Sequence, residues 1–449
     1  MTDSVICKCN PRSKEQAVAA VAPQVIQGLS LRKNFAWTLA GNVVYAGCQW
    51  GMLVVLAKLG TPEMVGQFAL GLAITTPVIM FTNMALRAVQ ATDAKQEYLF
   101  GHYLGLRLSA TILAFLLITG ITLAGRYRPE TALVILSLGL AKGFESVSDL
   151  FYGLLQQHER MDRIAVSMML KGPLSLLALG AGVWLTGSVF SSFLSLAGVW
   201  GLLLLSYDVR SGALVLARVP DAAPASTWEN SKTDLRPIWD IDVLKRLVWQ
   251  TLPLGLSTML ISLNSNIPRY FIEHYLGEGE LGLFAAMASL MVAGGVVVGA
   301  LGQSASPRLS KYYAKGNTAA FRTLLLKLLG LGALLGLAGV LVSVAAGREI
   351  LTLLYRPEYA ERLDVFFWLM VAAGVGYVGS FLGYGLTATR CFKAQIPLFT
   401  AVTLGCLLSC FWLIPTSGLR GAAIAMVIGT IMQLTLTFII LRYVIKNQT

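Results

Sequence analysis

Charge is scarce in this chain: Asp, Glu, Lys and Arg together make up 13% of its 449 residues, against roughly a quarter in an ordinary soluble domain. That scarcity excludes a soluble enzyme of two or three domains, whose surface would need far more charge to stay in water. Histidine is scarcer still. With only His102, His158 and His274, a histidine-based catalytic site has little to draw on. No G-x-x-x-x-G-K-[ST] loop and no H-E-x-x-H helix occurs, so a phosphate-cradling loop and a zinc-protease site are both missing. The six cysteines form no framework. Cys48, Cys391, Cys406 and Cys410 lie in or beside apolar runs, where they read as small buried hydrophobes. Cys7 and Cys9 make a lone C-x-C in a polar tail, and no metal is assigned.

What the chain does have is apolar length: 56% hydrophobic residues and a mean hydropathy of +0.68. The apolar stretches fall near 35 to 57, 65 to 86, 103 to 125, 131 to 155, 164 to 186 and 189 to 209. A second set follows near 247 to 272, 281 to 304, 324 to 346, 363 to 389, 394 to 415 and 419 to 441. At 1.5 Å per residue each is long enough to cross a hydrocarbon layer of about 30 Å, so about twelve transmembrane helices are expected. The first run is too long for a cleaved signal core and is expected to act as an uncleaved signal anchor.

The formal net charge of +12 is distributed topologically. Basic residues gather in alternate connections, among them Arg32/Lys33, Arg87/Lys95, Arg160/Arg163, Lys245/Arg246, Lys311/Lys315 and Arg390/Lys393. The intervening connections are neutral or acidic, with Glu63, Glu278 and Glu280. This asymmetry predicts both termini in the cytoplasm, with anionic lipids rather than nucleic acid as partners of the excess charge.

One connection is long and polar. The expected organisation is a tail at 1–31, a first lobe of helices 1–6 at 32–209, a cytoplasmic linker at 210–243, a second lobe of helices 7–12 at 244–445 and a tail at 446–449. The halves echo one another. Gly66-Gln67-Phe68-Ala69 is matched by Gly282-Leu283-Phe284-Ala285, and Tyr152-Gly153-Leu154 by Tyr384-Gly385-Leu386. Ordered matches of this kind point to a duplication, and an even number of helices per half places the pseudo-symmetry axis along the membrane normal, with a central cavity between two six-helix lobes.

The chain resembles the polysaccharide flippases, lipid-linked oligosaccharide transporters of the multidrug, oligosaccharidyl-lipid and polysaccharide exporter superfamily. The resemblance rests on Arg32-Lys33-Asn34 with Asn42, on Leu59-Gly60 through Gly66-Gln67-Phe68, and on Asn83 to Arg87. It continues in Gln156-Gln157-His158-Glu159-Arg160-Met161 and in Gly418-Leu419-Arg420-Gly421-Ala422-Ala423. It implies a transporter rather than an enzyme, moving undecaprenyl-diphosphate-linked oligosaccharide from the cytoplasmic to the periplasmic leaflet for O-antigen, capsule or exopolysaccharide assembly. A polymerase and a glycosyltransferase of the same pathway are the implied protein partners, and a proton or sodium ion the implied coupling ion. The rival readings are a cation-coupled drug exporter of the same superfamily and a membrane-embedded glycan polymerase or ligase; the second would need a large extramembrane loop.

Ionisable side chains inside a span are costly, so each is a candidate for function. Lys142, Glu145 and Asp149 fall on one helical face at i, i+3 and i+7. One reading gives Lys142 to anionic substrate and Glu145 or Asp149 to the coupling ion; the other has Lys142 and Glu145 merely neutralise one another. Asn264, Asn266, Pro268, Arg269 and Glu273 share the seventh span. There Arg269 either binds diphosphate or pairs with Glu273 at i+4, and Pro268 is a candidate hinge. Arg87 and Arg308, expected at the cytoplasmic ends of helices two and eight, either capture diphosphate or anchor orientation. Asn42 and Gln49 share a face of helix one and suit sugar hydroxyls or a neighbouring helix, and Lys171 adds a cation in helix five.

Overall fold

The computed structural model describes residues 31–93, 97–217, 235–389 and 394–446. Among the described residues the protein is all-helical, and ten helices are long and apolar enough to cross a membrane. The first half contains α1 (Leu31–Leu59), α2 (Pro62–Asn83), α3 (Leu86–Thr92), α4 (Phe100–Ala124), α5 (Pro129–Gln157), α6 (Met161–Thr186), α7 (Val189–Leu203) and α8 (Val209–Leu216). The second contains α9 (Ile241–Leu276), α10 (Glu278–Ala314), α11 (Thr318–Leu354), α12 (Leu363–Ala388) and α13 (Gln395–Lys446).

Twelve crossings follow from these helices. The 52 residues of α13 would span about 78 Å at 1.5 Å each, more than twice a hydrocarbon core. The helix is broken at Gly418, whose φ of 57° and ψ of −139° suit glycine alone, so it makes two crossings. Although α9 is too polar to reach the apolarity of the others, its 36 residues run through Pro253 and Pro268 as one helix. Conversely α7 and α8 form one crossing, joined by a π-helical turn at Leu204–Asp208. The helix thus continues to Leu216, into the stretch expected as linker from 210; residues 218–234 of that linker and the tail before Leu31 lie outside the described residues.

Local signals set the helix ends. Thr61 accepts from the backbone N–H of Met64 ahead of Pro62, Asp240 caps α9 through Asp242 and Val243, and Asn317 caps α11 through Ala320. Leucines such as Leu123, Leu202 and Leu408 remain exposed on the outer faces, as contact with acyl chains requires. Exposed Trp184 and Trp412 near one end and Trp239 and Trp249 near the other form the two interfacial belts of a multi-pass membrane protein.

The two six-helix lobes share one core at one end, while at the other α9 stays packed on the first lobe and the rest of the second lobe has a core of its own. At the end away from the start of α1, a single apolar core runs through both lobes, from Phe68 and Phe193 to Leu281, Phe284, Tyr355 and Leu419. At the opposite end the core divides. One part holds Phe100, Phe151 and Leu154 with Leu247, and another holds Val298, Phe321, Phe381 and Leu441.

The echoed glycines make the fused end. A Cβ on Gly66 would overlap the main-chain carbonyl of Glu278, and a Cβ on Gly282 would overlap the carbonyl of Pro62. Each glycine therefore admits the first turn of the partner helix, α2 against α10, closer than any side chain permits. Around this seam Thr131 donates to Glu278 Oε1 at 2.5 Å and Gln67 donates to Oε2 at 3.2 Å. Lys58 reaches the carbonyl of Leu353 at 2.6 Å, and Arg356 reaches that of Lys58 at 3.1 Å.

Candidate functional site

The face of α5 that carries Lys142, Glu145, Asp149 and Tyr152 turns into the first lobe, toward α1, α3, α4 and α6. Glu145 is held on both oxygens, by Lys142 Nζ at 2.7 Å and by the Tyr45 hydroxyl of α1 at 2.5 Å. Lys142 also sits 5.5 Å from the Trp200 ring centroid, within cation–π range. Asp149 takes two guanidinium groups, Arg87 at 3.0 Å and the fully buried Arg107 at 3.8 Å. Arg87 in turn donates to Gln156 at 3.2 Å. Arg107 donates to Ser146 at 3.1 Å and to Asn83, which also receives the Ser146 hydroxyl.

A second chain of contacts lies deeper. Lys171 of α6 lies 3.9 Å from Asp208, and both are buried. Ser167 donates to Asp208 at 2.6 Å, Tyr152 shares a 2.7 Å hydrogen bond with Ser167, and Lys171 donates to Tyr152 at 3.1 Å. Trp200 donates to Ser175 at 2.7 Å and presents its ring to Lys171. The π turn sets this arrangement: its wider spacing shifts the helical phase, so Asp208 points inward while Leu205 three residues earlier stays exposed. Four cations, Arg87, Arg107, Lys142 and Lys171, thus face three carboxylates, Glu145, Asp149 and Asp208. This cluster of seven groups keeps one formal positive charge in excess.

The second lobe is built differently. Arg269 Nη1 donates to Asn266 Oδ1 at 3.0 Å, and among the described residues no carboxylate lies within 4.0 Å of it. Glu273, one turn on, is not its partner. Next to it, Tyr270 donates to the carbonyl of Ala73 in α2, which places this turn of α9 where the lobes meet. Asn266 is buried and donates to the carbonyl of Ser262 at 2.8 Å. Among the described residues Asn264 makes no side-chain hydrogen bond, and its Oδ1 is buried. It borders a cavity of about 450 Å3 among α9, α10, α12 and α13, and the described residues that line it include no acidic or basic one.

Other expected residues lie elsewhere. Arg87 is not at the end of α2: that helix stops at Asn83, Met84 and Ala85 take left-handed backbone at φ 47° and 50°, and Arg87 lies in the first turn of the separate helix α3. The break turns its guanidinium back onto α5. Arg308 does not close its helix either, since α10 runs on to Ala314, and it is exposed. Asn42 is exposed and donates to the carbonyl of Thr38 on its own helix at 2.8 Å. Gln49 lies a turn beyond Tyr45, with its amide nitrogen buried.

Sequence reasoning missed Arg107, Asp208, Tyr45 and Asn83 as parts of the site. Arg107 and Asp208 fall inside the apolar runs 103 to 125 and 189 to 209, so counting every intramembrane charge finds them. Tyr45 and Asn83 are neutral residues on apolar helices, and only the packing of α1 and α2 against α4 and α5 gives them partners.

The architecture is thus a multi-pass helical membrane protein of two six-helix lobes, with buried ion pairs in one and, among the described residues, an arginine without a carboxylate partner at their junction. The family model described as "Polysaccharide biosynthesis protein" matches residues 31–313, and the chain belongs to that family. Over 404 residues it is 28% identical to the capsular polysaccharide biosynthesis protein CapF of Staphylococcus aureus, covering 90% of this chain and 97% of that one. Among solved structures it resembles the lipid II flippase MurJ in an inward closed conformation, with a TM-score of 0.70 and 11% identity over 91% of this chain and 87% of that one. It also resembles an inward-facing multidrug resistance transporter of the MATE family, with a TM-score of 0.60 and 16% identity over 96% of this chain and 98% of that one. At these identities the solved structures establish the fold alone.

Proposed function

We propose that this protein moves a lipid-linked oligosaccharide, joined to its polyprenyl carrier by a diphosphate, from the cytoplasmic to the periplasmic leaflet by alternating access. The observation that carries the reading is Arg269, a cation at the lobe junction whose near partner is a neutral amide. Desolvating a guanidinium without a carboxylate is costly, and a diphosphate entering between the lobes repays that cost through bidentate hydrogen bonds. Membership of a polysaccharide biosynthesis family supplies the glycan.

In this reading the fused end faces the periplasm, both termini are cytoplasmic, and the conformation is one that receives substrate from inside. Rocking about the Gly66/Gly282 seam exchanges it for a state open to the outside. Direction comes from an ion that binds the two states unequally, since a ligand shifts an equilibrium only by its difference in affinity. Glu145 and Asp149 are the proposed ion-linked groups. They join α5 to α1, α3 and α4, so a change of charge there loosens contacts between four helices.

The direct experiment is binding of undecaprenyl diphosphate to the protein in nanodiscs. Arg269→Gln is expected to weaken it about tenfold or more, equivalent to about 1.4 kcal/mol, and Arg269→Lys to restore it only in part. Unchanged affinity in Arg269→Gln removes the diphosphate role. In cells, deletion is expected to leave lipid-linked glycan on the cytoplasmic face; translocated but unpolymerised units would instead indicate a polymerase, and unaltered glycan with new drug sensitivity an exporter. If transport by Glu145→Gln and Asp149→Asn keeps its dependence on pH and sodium, neither group is the coupling site.

A further inference from the structure

Among the described residues, the lining of the cavity of about 450 Å3 in the second lobe is polar without being charged. Its amides are Asn264, Gln395 and Gln433. Those of Asn264 and Gln433 make no hydrogen bond among the described residues, while Gln395 leans on Thr387 at 3.4 Å. Its hydroxyls are committed as donors to their own helices: Ser380 to the carbonyl of Gly376 at 2.8 Å, Thr387 to that of Gly383 at 2.9 Å and Thr437 to that of Gln433 at 2.6 Å. Each hydroxyl oxygen therefore keeps acceptor capacity, while the amides supply both donors and acceptors. The rings of Tyr384 and Phe399 complete the wall.

Glycine keeps the space open. Gly295, Gly299 and Gly383 border the cavity, and a Cβ built on any of them meets nothing within 4 Å. Packing does not demand glycine here, in contrast to Gly66 and Gly282, yet glycine within a helix costs about 1 kcal/mol relative to alanine. Three such positions border one hollow, so side chains could grow into it there without meeting a neighbour.

We infer that this cavity is a sugar-binding site that takes an uncharged glycan ring of the transported molecule; the inference rests on the flippase reading and assigns its glycan end. Mixed donors and acceptors without charge suit sugar hydroxyls, each of which is both. They suit a phosphate poorly, for want of a cation, and a metal ion poorly, for want of a carboxylate. The volume lies within the range of small-molecule sites and far exceeds that of a bare ion. The diphosphate is thus held at the lobe junction and the glycan is read inside the second lobe.

The test compares two probes in nanodiscs, undecaprenyl diphosphate and the same lipid bearing a neutral disaccharide. Gly299→Leu and Gly383→Leu fill the cavity from positions where a side chain meets no neighbour, so the fold is expected to survive. Each is expected to weaken binding of the glycosylated lipid at least tenfold while leaving the bare lipid within twofold of wild type. Wild-type affinity of both variants for the glycosylated lipid overturns the sugar assignment and leaves the flippase reading standing, as does an equal loss for both lipids. Failure of the unaltered protein to bind either lipid removes the flippase reading, and the sugar site with it. A rise in melting temperature in sodium chloride over choline chloride that Gly383→Leu abolishes overturns the assignment in favour of a cation.

Discussion

Tyr152-Gly153-Leu154 in α5 and Tyr384-Gly385-Leu386 in α12 hold corresponding places in the two lobes, yet the space before each tyrosine is used in opposite ways. Before Tyr152 stand Lys171, Ser167, Asp208 and Trp200, joined by hydrogen bonds and charge. Before Tyr384 lies an open hollow bordered by amides, hydroxyls and glycines. The motif glycines behave alike: a Cβ on Gly153 would press on Gln90 at 2.6 Å, and one on Gly385 on Leu325 at 3.2 Å. One helix frame thus serves two chemistries. The first lobe packs charge against charge, and the second leaves a hollow lined, among the described residues, by neutral groups.

This contrast predicts unequal sensitivity to mutation. The largest effect is expected at the Lys171–Asp208 pair, where removing either partner leaves a buried charge uncompensated. Asp208→Asn and Lys171→Met are each expected to lower stability by about 3–5 kcal/mol in thermal unfolding of the detergent-purified protein, and Lys171→Met combined with Asp208→Leu to recover much of it. A loss under about 1 kcal/mol from either single change would mean that water reaches the pair.

Next comes the seam between the lobes. Cysteines replacing Lys58 and Leu353, across the contact that Lys58 Nζ makes with the Leu353 carbonyl, are expected to be joined by a bifunctional thiol reagent about as long as a lysine side chain. Adding Gly66→Val is expected to cut the yield about fivefold, equivalent to about 1 kcal/mol of closure. An undiminished yield would show that closure does not depend on the glycine contact.

Smaller effects sharpen the contrast further. Lys142 and Glu145 retain 21% and 27% side-chain exposure, so Lys142→Met is expected to cost only about 1 kcal/mol. In the second lobe Asn264→Leu and Gln433→Leu remove amides that have no hydrogen-bond partner among the described residues. They are expected to change stability by less than about 0.5 kcal/mol while impairing transport. Destabilisation as large as that of Asp208→Asn would place those amides among the supports of the fold.

The twelve crossings were legible because membrane length is a property of each run by itself. Even the turn at Gly418 falls between the runs ending at 415 and starting at 419. The polar character of α9, the extension of α8 past residue 210, the break of α2 at Asn83 and the run of α10 to Ala314 departed from the simple pattern. The charged face of α5 was legible too, from the i, i+3, i+7 spacing of Lys142, Glu145 and Asp149. Their partners were not. Arg107 approaches Asp149 from another helix, the π turn that directs Asp208 inward has no composition of its own, and Met84 and Ala85 adopt left-handed backbone that no glycine announces. A neutral cavity is harder still, because Gly295, Gly299 and Gly383 in sequence look like the glycines that close-packed membrane helices use everywhere.

Gly66 and Gly282 each face a main-chain carbonyl of the opposite lobe, an oxygen that every amino acid possesses. A substitution at either glycine therefore has no suppressor at Glu278 or Pro62, because changing those side chains leaves the obstructing atom where it was. In a saturation library selected for transport, these two positions are expected to stand out as intolerant islands whose defects are relieved only by changes that shift a whole helix.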